Sequence, residues 1–454
     1  MSQHKIVKIP DWVTPESDNF LNEVGKQGWE LVHVYNQHAY MKATAAGTIA
    51  SGSLNATVDA FGRSRVSEPF TLGDYKHVYG NEDSFINRTN SGGTLTNNIN
   101  RSSVILSATT SGSYAIHQSK MYHHYMPGKG QLILSSFVFG AATSGSTKRT
   151  GYFDDYNGIF LEQDATGSLQ LVIRSATSGT GSVQETRVKQ ENWNVNTLQS
   201  GEFVLDVTKT QLFYIDFQWL AVGRVRCGFV HAGITIITHV FDHSNVRNVA
   251  YMQNPSLPIR CEIINSVAAS SSMEQICTTV MSEGGYMEAG KAYSVANDTF
   301  RSLTSGSTLP VLAIRLKNTV NGLPNRAFVR IQQTSVFTDQ QTVRYVLTKL
   351  PSGSMLTTAS GWTSIDSNSM IEYNTSATAY TDGKILLTGF VGANSLNPTQ
   401  AQPLVQSQLG VSNKENFIAQ NYDSTDSEIY VLGVKNMTTS TTNIGGTMLW
   451  SEIY

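Results

Sequence analysis

Charge is scarce in this chain of 454 residues: Asp, Glu, Lys and Arg make up 15% of it, where soluble domains usually carry roughly 25%. The formal net charge is -2 and no basic stripe stands out, which argues against a general nucleic-acid binder. Cysteine is almost as rare. Cys227, Cys261 and Cys277 form an odd set without paired short spacing, so neither a disulfide framework nor a zinc ribbon is expected, and all three read as small buried hydrophobes. No apolar run approaches the ~18 residues of a membrane span, and MSQHKIVKIPDW lacks the apolar centre of a signal peptide. The expectation is a protein made in a cytoplasm and not inserted in a membrane. Nucleophile-elbow, P-loop and dinucleotide fingerprints are missing, as is any internal repeat. What is plentiful is Ser, Thr, Asn, Gln and Gly, with 37 glycines. A surface that is polar without being charged goes, by compositional association, with adhesins, viral shell proteins and lectins.

The organising stretch is TQLFYIDFQWLAVGRVRCGFVHAGITIITHVFDH, from Thr210 onward. Phe213, Ile215, Phe217 and Trp219 alternate with Tyr214, Asp216 and Gln218, the period of a strand with one buried face. After a turn near Ala221 to Gly223, Val225, Cys227 and Phe229 repeat the pattern while Arg224 and Arg226 point the other way, which predicts a hairpin. A second turn at His231 to Gly233 leads into a third strand, Ile234 to Phe241. Phe213, Ile215, Phe217, Trp219, Val225 and Phe229 are the expected core. Three antiparallel strands with one apolar face must pack on a second sheet, so the architecture begins as a β-sandwich.

Residues 1–43 read as a small α+β unit of order βαββ. Ile6, Val7 and Ile9 suggest a strand, Thr14 and Pro15 open a helix with Phe20, Leu21 and Val24 on its apolar face, and Trp29 to Tyr35 and Ala39 to Lys42 give two strands. Residues 44–58 are a small, polar linker. Residues 59–290 form a first sandwich of jelly-roll character, with turn clusters between strand candidates at Val104 to Leu106, Tyr114 to Gln118, Leu132 to Phe139, Gly158 to Gln163, Leu169 to Ile173, Phe203 to Val207, Pro258 to Ile264 and Gln275 to Met281. Its opening, DAFGRSRVSEPFTLGDYKHVYG, mixes charges with aromatics and reads as an extended arm clamped to a neighbour, with Phe61, Arg63, Arg65 and Phe70 as interface candidates. Residues 291–454 form a second sandwich with strand candidates at Val311 to Leu316, Ala327 to Ile331, Val343 to Leu347, Lys384 to Phe390, Glu428 to Val434 and Thr447 to Ile453. The fold class is mainly β.

A glycosidase needs two carboxylates roughly 5 to 9.5 Å apart. Asp154, Asp155, Glu162 and Asp164 crowd into GYFDDYNGIFLEQDATG, where DDYNG reads first as a turn. Asp216 sits in mid-strand, and a pair with Arg224 or Arg226 across the hairpin is the stronger reading. His117, His123 and His124, and His231, His239 and His243, invite a metal reading, but no HExxH context accompanies them and DYNG falls short of a calcium loop. No catalytic residue, metal or cofactor is expected. Nineteen Tyr and six Trp can stack on sugars or anchor interfaces, although in alternating strands such rings are more often core.

Two resemblances add to this. LNEVGKQGWELVHV resembles small bacterial domains of unknown function that carry an LNxxGxxGWELV pattern, which implies a fold and no chemistry. DAFGRSRVSEPFTLGD, GYFDDYNGIFLEQD, IDFQWLAVGRVRCGFV, PSLPIRCEI and MSEGGY, in this order over about half the chain, resemble a family of virion structural proteins of tailed phages, often marine or cyanobacterial. That resemblance implies a non-enzymatic component of the virion, assembled in the host cytoplasm, exposed on the particle and placed in the tail, fibre or adsorption apparatus. Implied partners are other virion proteins, further copies of the chain in a homotrimer, and a host-surface glycan or receptor. The alternatives are a capsid decoration protein that cements capsomers, and a polysaccharide depolymerase or carbohydrate-binding adhesin using Asp154, Asp155, Glu162 or Asp216.

Overall fold

The computed structural model describes residues 4–8, 29–35, 38–43, 69–80, 83–177, 182–286, 290–304, 306, 308–358, 361–381, 383–392 and 417–454. The chain divides into two compact units, Met1–Val58 and Asp59–Tyr454. In the first, β1 (His4–Lys8) and β2 (Trp29–Tyr35) flank β3 (His38–Ala43), both antiparallel to it. The helix expected after Thr14 and the arm residues Phe61, Arg63 and Arg65 lie outside the described residues.

The larger unit is all antiparallel β, with no α-helix among its described residues. Its proximal half runs through β4 (Phe70–Lys76), β5 (Phe85–Thr89), β6 (Gly93–Asn98), β7 (Ser103–Ala108), β8 (Tyr114–Ser119), β9 (Gly130–Val138), β10 (Ser146–Phe153), β11 (Gly158–Gln163), β12 (Leu169–Ser175), β13 (Gln184–Lys189), β14 (Gln211–Phe217), β15 (Val225–His231), β16 (Ile234–Phe241), β17 (Ile259–Asn265) and β18 (Ser271–Glu283). One sheet has the order β13-β12-β11-β10-β17-β8-β5 and the other β16-β15-β14-β9-β18-β7-β6, with β4 added along β18. Phe213, Ile215, Phe217, Val225 and Phe229 from the second sheet share one core with Tyr152, Ile159, Leu161, Ile173 and Ile259 from the first. Each such side chain removed from water contributes about 1.5 to 3 kcal/mol before entropy is subtracted.

The hairpin differs from a half-buried ribbon in one respect. Tyr214 and Asp216, on the face opposite Phe213, are 2% and 0% exposed, so both faces of β14 are covered. Asp216 stands directly across from Arg226 in the register and the two form a fully buried ion pair, while the Tyr214 hydroxyl donates to the same carboxylate at 3.0 Å. A buried charge persists only when paired in this way. Trp219 lies just past the strand end and is half-buried, its indole N–H donating to the Met252 carbonyl at 3.0 Å.

Three expectations are corrected. Phe70–Lys76 is not a free arm: it pairs with β18 inside the chain, from Phe70 opposite Ser282 to Lys76 opposite Cys277. Residues 203–207 form no strand; Leu205 donates to the Leu198 carbonyl, and the Val207 carbonyl accepts from Phe139 and Gly140, so the segment caps a sheet end with apolar residues. Cys277 is exposed, because a bulge at Gln275 to Cys277 turns it out of the core that holds Cys227 and Cys261.

In the distal half, a six-stranded sheet orders Thr363–Ser364, Ile371–Asn374, Thr308–Leu316, Ile429–Asn436, Val343–Leu350 and Lys384–Val391. The long Thr442–Ile453 strand, with Phe328–Thr338 on one side and Lys291–Ala296 and Arg301–Leu303 on the other, makes the second sheet. Trp450 and Met448 from it meet Leu312, Ile314, Leu347 and Leu432 in a separate core. Loop 421–426 reaches the proximal half: Arg88 pairs with Asp423 at 2.8 Å, and the Tyr422 hydroxyl donates to Asp155 at 2.7 Å.

Candidate functional site

The carboxylates singled out by the sequence are occupied by structural work. Asp154 Oδ1 accepts from the Tyr156 and Asn157 amides, both at 2.8 Å, which makes it the anchor of an Asx-type turn. Burial pushes its pKa up, yet the oxygen is committed to backbone. Asp155 accepts from Arg260 at 2.7 Å as well as from Tyr422; burial pushes its pKa up, but the Arg260 charge together with the hydrogen bonds from Tyr422 and Arg260 holds it below the usual range. Glu162 lies between Arg149, at 2.5 Å, and Arg187. Asp164 binds the Thr166 and Ser168 amides of a second turn. Neighbouring Glu262 shows the strength of this arginine-rich sheet face: burial pushes its carboxyl up, but Arg260 and Arg149 bring it down to about 2. A general acid must hold its proton near neutrality, and Asp155 and Glu262, both held down beside guanidiniums, do not.

The histidines are also structural. His239 accepts from the Asn194 amide at 3.1 Å, His243 donates to the Gly223 carbonyl at 2.7 Å and stacks on Tyr251, and His231 stacks on Phe203. Among the described residues no three His, Cys, Asp or Glu converge as a metal-ligand set.

The concave feature with a chemical character of its own is a cavity of about 410 Å³ between β4, the segment 121–124, and the distal Phe328, Arg330 and Phe417. Interfaces between packed halves of a chain are a usual place for such a site. Its walls are aromatic: Phe70 stacks on Tyr286 at 4.8 Å and Phe328 on Phe417 at 5.7 Å, and the Arg330 guanidinium lies 5.2 Å over Phe328. Tyr122 is buried beneath Arg326, at 4.7 Å. His123 forms the floor. Its Nδ1 donates to the Leu257 carbonyl at 3.0 Å, so Nε2 accepts from the Tyr75 hydroxyl at 2.9 Å, and burial holds the ring neutral by bringing its pKa down to about 4. Gly73 permits this approach, since a Cβ there would stand 2.6 Å from His123 Nε2 and 2.8 Å from the Tyr75 ring. The half-buried His124 adds a second imidazole to the wall.

Phe70, expected at an interface between protomers, stands at this cavity and is 40% exposed. His123 and His124, singled out as metal candidates, also stand here; the remaining wall residues were not singled out by sequence. FTLGDY and MSEGGY carry Phe70, Gly73, Tyr75 and Tyr286, while Tyr122 and His123 stand in HQSKMYHHYMPG, so the signal was present as motifs without a role. Phe328, Arg330 and Phe417 come from the last third, where nothing in the local pattern marks them.

No family model matches the chain, and no curated protein does. Solved structures with some likeness include a family 16 glycoside hydrolase of Bacteroides ovatus in complex with a mixed-linkage glucan product, 11% identical over 46% of this chain and 99% of its own, with a TM-score of 0.33. A glycosyl hydrolase family protein of Mycobacterium fortuitum gives the same identity, coverage and TM-score. A legume lectin-like domain of Entamoeba histolytica is 11% identical over 43% of this chain and 89% of its own, with a TM-score of 0.27. At such scores the likeness bears on neither fold nor function.

Proposed function

We propose that the chain is a non-enzymatic surface component of a tailed-phage particle that holds a host-surface saccharide in the cavity between its two β-sandwiches. The observation that carries the binding part is the cavity: two stacked aromatic pairs line one space of about 410 Å³, with Arg330 and His124 as polar groups on the wall. Flat aromatic faces match the apolar faces of pyranose rings, and a few polar groups fix orientation. The clasped state of Asp155, Glu162 and Glu262 supports binding without hydrolysis. The particle part rests on the resemblance, three of whose segments meet at His123: the Leu257 carbonyl accepts from its ring, the Tyr152 hydroxyl donates to its carbonyl at 3.0 Å, and Gly73 lies against its Nε2. On this reading residues 1–43 are an α+β attachment module, the proximal half is a jelly roll, and the assembled state is a trimer.

The test is titration calorimetry of the full chain against oligosaccharides from host capsule and lipopolysaccharide. Binding that weakens at least tenfold in both Phe328→Ala and Tyr286→Ala, about 1.4 kcal/mol or more each, is the expected result. Binding that ignores both changes, or no binding to any host polysaccharide, overturns it. Antibody labelling of particles checks location, with label on tail or fibres expected and even label over the head making the chain a decoration protein. Reducing ends released from host polysaccharide by the purified full chain would make it a depolymerase.

A further inference from the structure

His77 follows β4 directly, and its ring is 1% exposed, with neither nitrogen hydrogen-bonded. His117, on β8, is fully buried with its ring centroid 5.1 Å from that of His77. Its Nδ1 donates to Asn87 Oδ1 at 2.6 Å, which fixes the tautomer and leaves Nε2 as a lone pair without a donor. Phe85 fills the remaining space, stacked on His117 at 3.9 Å and tilted against His77 at 5.4 Å. Among the described residues, no neighbouring element offers the pair a countercharge. On β4, Asp74 and Lys76 are exposed, and the Tyr75 hydroxyl is committed to His123. On β5, Arg88 goes to Asp423. On β17, Cys261 stands beside His117 as a thiol that burial pushes up to about 12, and Arg260 and Glu262 belong to the opposite face of that strand. On β18, Gln275 is neutral, Cys277 is exposed, and Glu274 pairs with Arg101. β7 carries no titratable side chain. Among the described residues, a proton placed on either imidazole would therefore meet an aromatic face and a second imidazole, with no carboxylate to receive it.

We infer that the His77–His117 pair is an acid-sensitive latch that keeps β4 docked at neutral pH and releases it on acidification. β4 is suited to release because among the described strands it pairs along one edge only, with the Cys277–Ser282 half of β18, and strands held on one side open before the sheet centre does. Burial lowers His77 to about 4 and His117 well below its ordinary value, the latter also through the nearby His77. In an opened segment both rings would titrate as in water, so opening is favoured as pH falls below about 6.5. Because Phe70 to Tyr75 line the cavity, release of β4 removes one of its walls; that consequence for a ligand rests on the saccharide reading, whereas the latch does not.

Amide hydrogen exchange of the full chain without ligand, corrected for intrinsic rates, tests the latch at pH 7.5 and pH 5. The expected result is a loss of protection in peptides spanning 70–77, with His77 alone contributing about 30-fold at pH 5, while β14 and β15 stay protected. His77→Leu should remove that share, and His117→Gln, which keeps a group able to donate to Asn87, should remove the other. Equal pH dependence in wild type and His77→Leu overturns the inference. Should the variants fail to fold, nitrogen-15 NMR of histidine-labelled wild type decides: His77 titrating near its ordinary 6.5 with β4 still protected overturns it, and loss of β4 protection as the His77 signal shifts sustains it. Saccharide binding unaffected by cavity substitutions would remove the ligand and leave the latch standing.

Discussion

Lys148 allows a sharp test of how this fold handles buried charge. The side chain stands in β10, is 1% exposed, and donates its Nζ to the Phe139 carbonyl at 2.6 Å and the Ala141 carbonyl at 2.9 Å. Among the described residues no carboxylate pairs with it, and burial lowers its pKa from 10.5 to about 8. The folded state thus binds this proton less tightly than the unfolded chain does. A group with a depressed folded pKa contributes its full stability above the unfolded value, and loses it as pH falls through the folded one. Integrating between those two values, wild type should gain about 2 kcal/mol from Lys148 between pH 7 and pH 9.5. Lys148→Met keeps the stem and abolishes the titration. Its lost hydrogen bonds to Phe139 and Ala141 shift stability by an amount that does not vary with pH, and other titrating groups are shared, so both cancel in the difference between curves. Urea midpoints of the two proteins, followed by near-ultraviolet circular dichroism at both pH values, give that difference. Parallel stability curves would refute the reasoning and mean that the ammonium is solvated in the folded chain.

Two further outcomes follow from the joints of the fold. Asp155→Asn and Tyr422→Phe, separately and together, should couple by about 1 kcal/mol in a double-mutant cycle, since the hydrogen bond joins the two halves at a half-exposed carboxylate; strictly additive unfolding energies would mean that the loop does not hold the halves together. Trp219→Ala should cost about 3 kcal/mol, at the low end for Trp, because the ring is half-buried and its N–H returns to the Met252 carbonyl. The variant should stay soluble with a lowered melting temperature, and an unchanged one would mean that the indole contributes nothing to the sandwich end.

The hairpin was legible because alternation of Phe213, Ile215 and Phe217 against Tyr214 and Asp216 is a direct print of β geometry. Alternation reports which side chains share a face, however, and not whether the polar face is wet. Asp216 is dry because Arg226 stands opposite it in the register, and that pairing exists only once both strands are in place. β10 shows the converse failure. STKRTGYF reads as a turn by composition, yet it is a strand near the middle of its sheet, between β11 and β17. Its Lys148 ends on backbone carbonyls, its Arg149 bridges Glu162 and Glu262, and its Gly151 is required because a Cβ would come within 2.7 Å of the Phe160 backbone. Residues that look like turn formers are here satisfied by neighbours across the sheet. Residues 203–207 fail in the opposite direction, since an apolar run can cover a sheet end without joining it.

The cavity lay beyond the reach of local pattern for a reason of distance along the chain. Phe70 and Tyr286 belong to the proximal half and Phe328 and Phe417 to the distal half, so no window of sequence contains the wall they make. Each is ordinary alone: Phe70 and Phe328 each begin a strand. They line one cavity where loop 421–426, the Arg326 stack on Tyr122 and the Lys120–Glu428 ion pair hold one sandwich against the other. The acidic DDYNG segment, which composition marks as the first place to look for chemistry, is instead part of that joint through Asp155. The residues that attract attention as an enzyme's are thus those that position the halves, and the residues that face the cavity are ones a strand pattern assigns to packing.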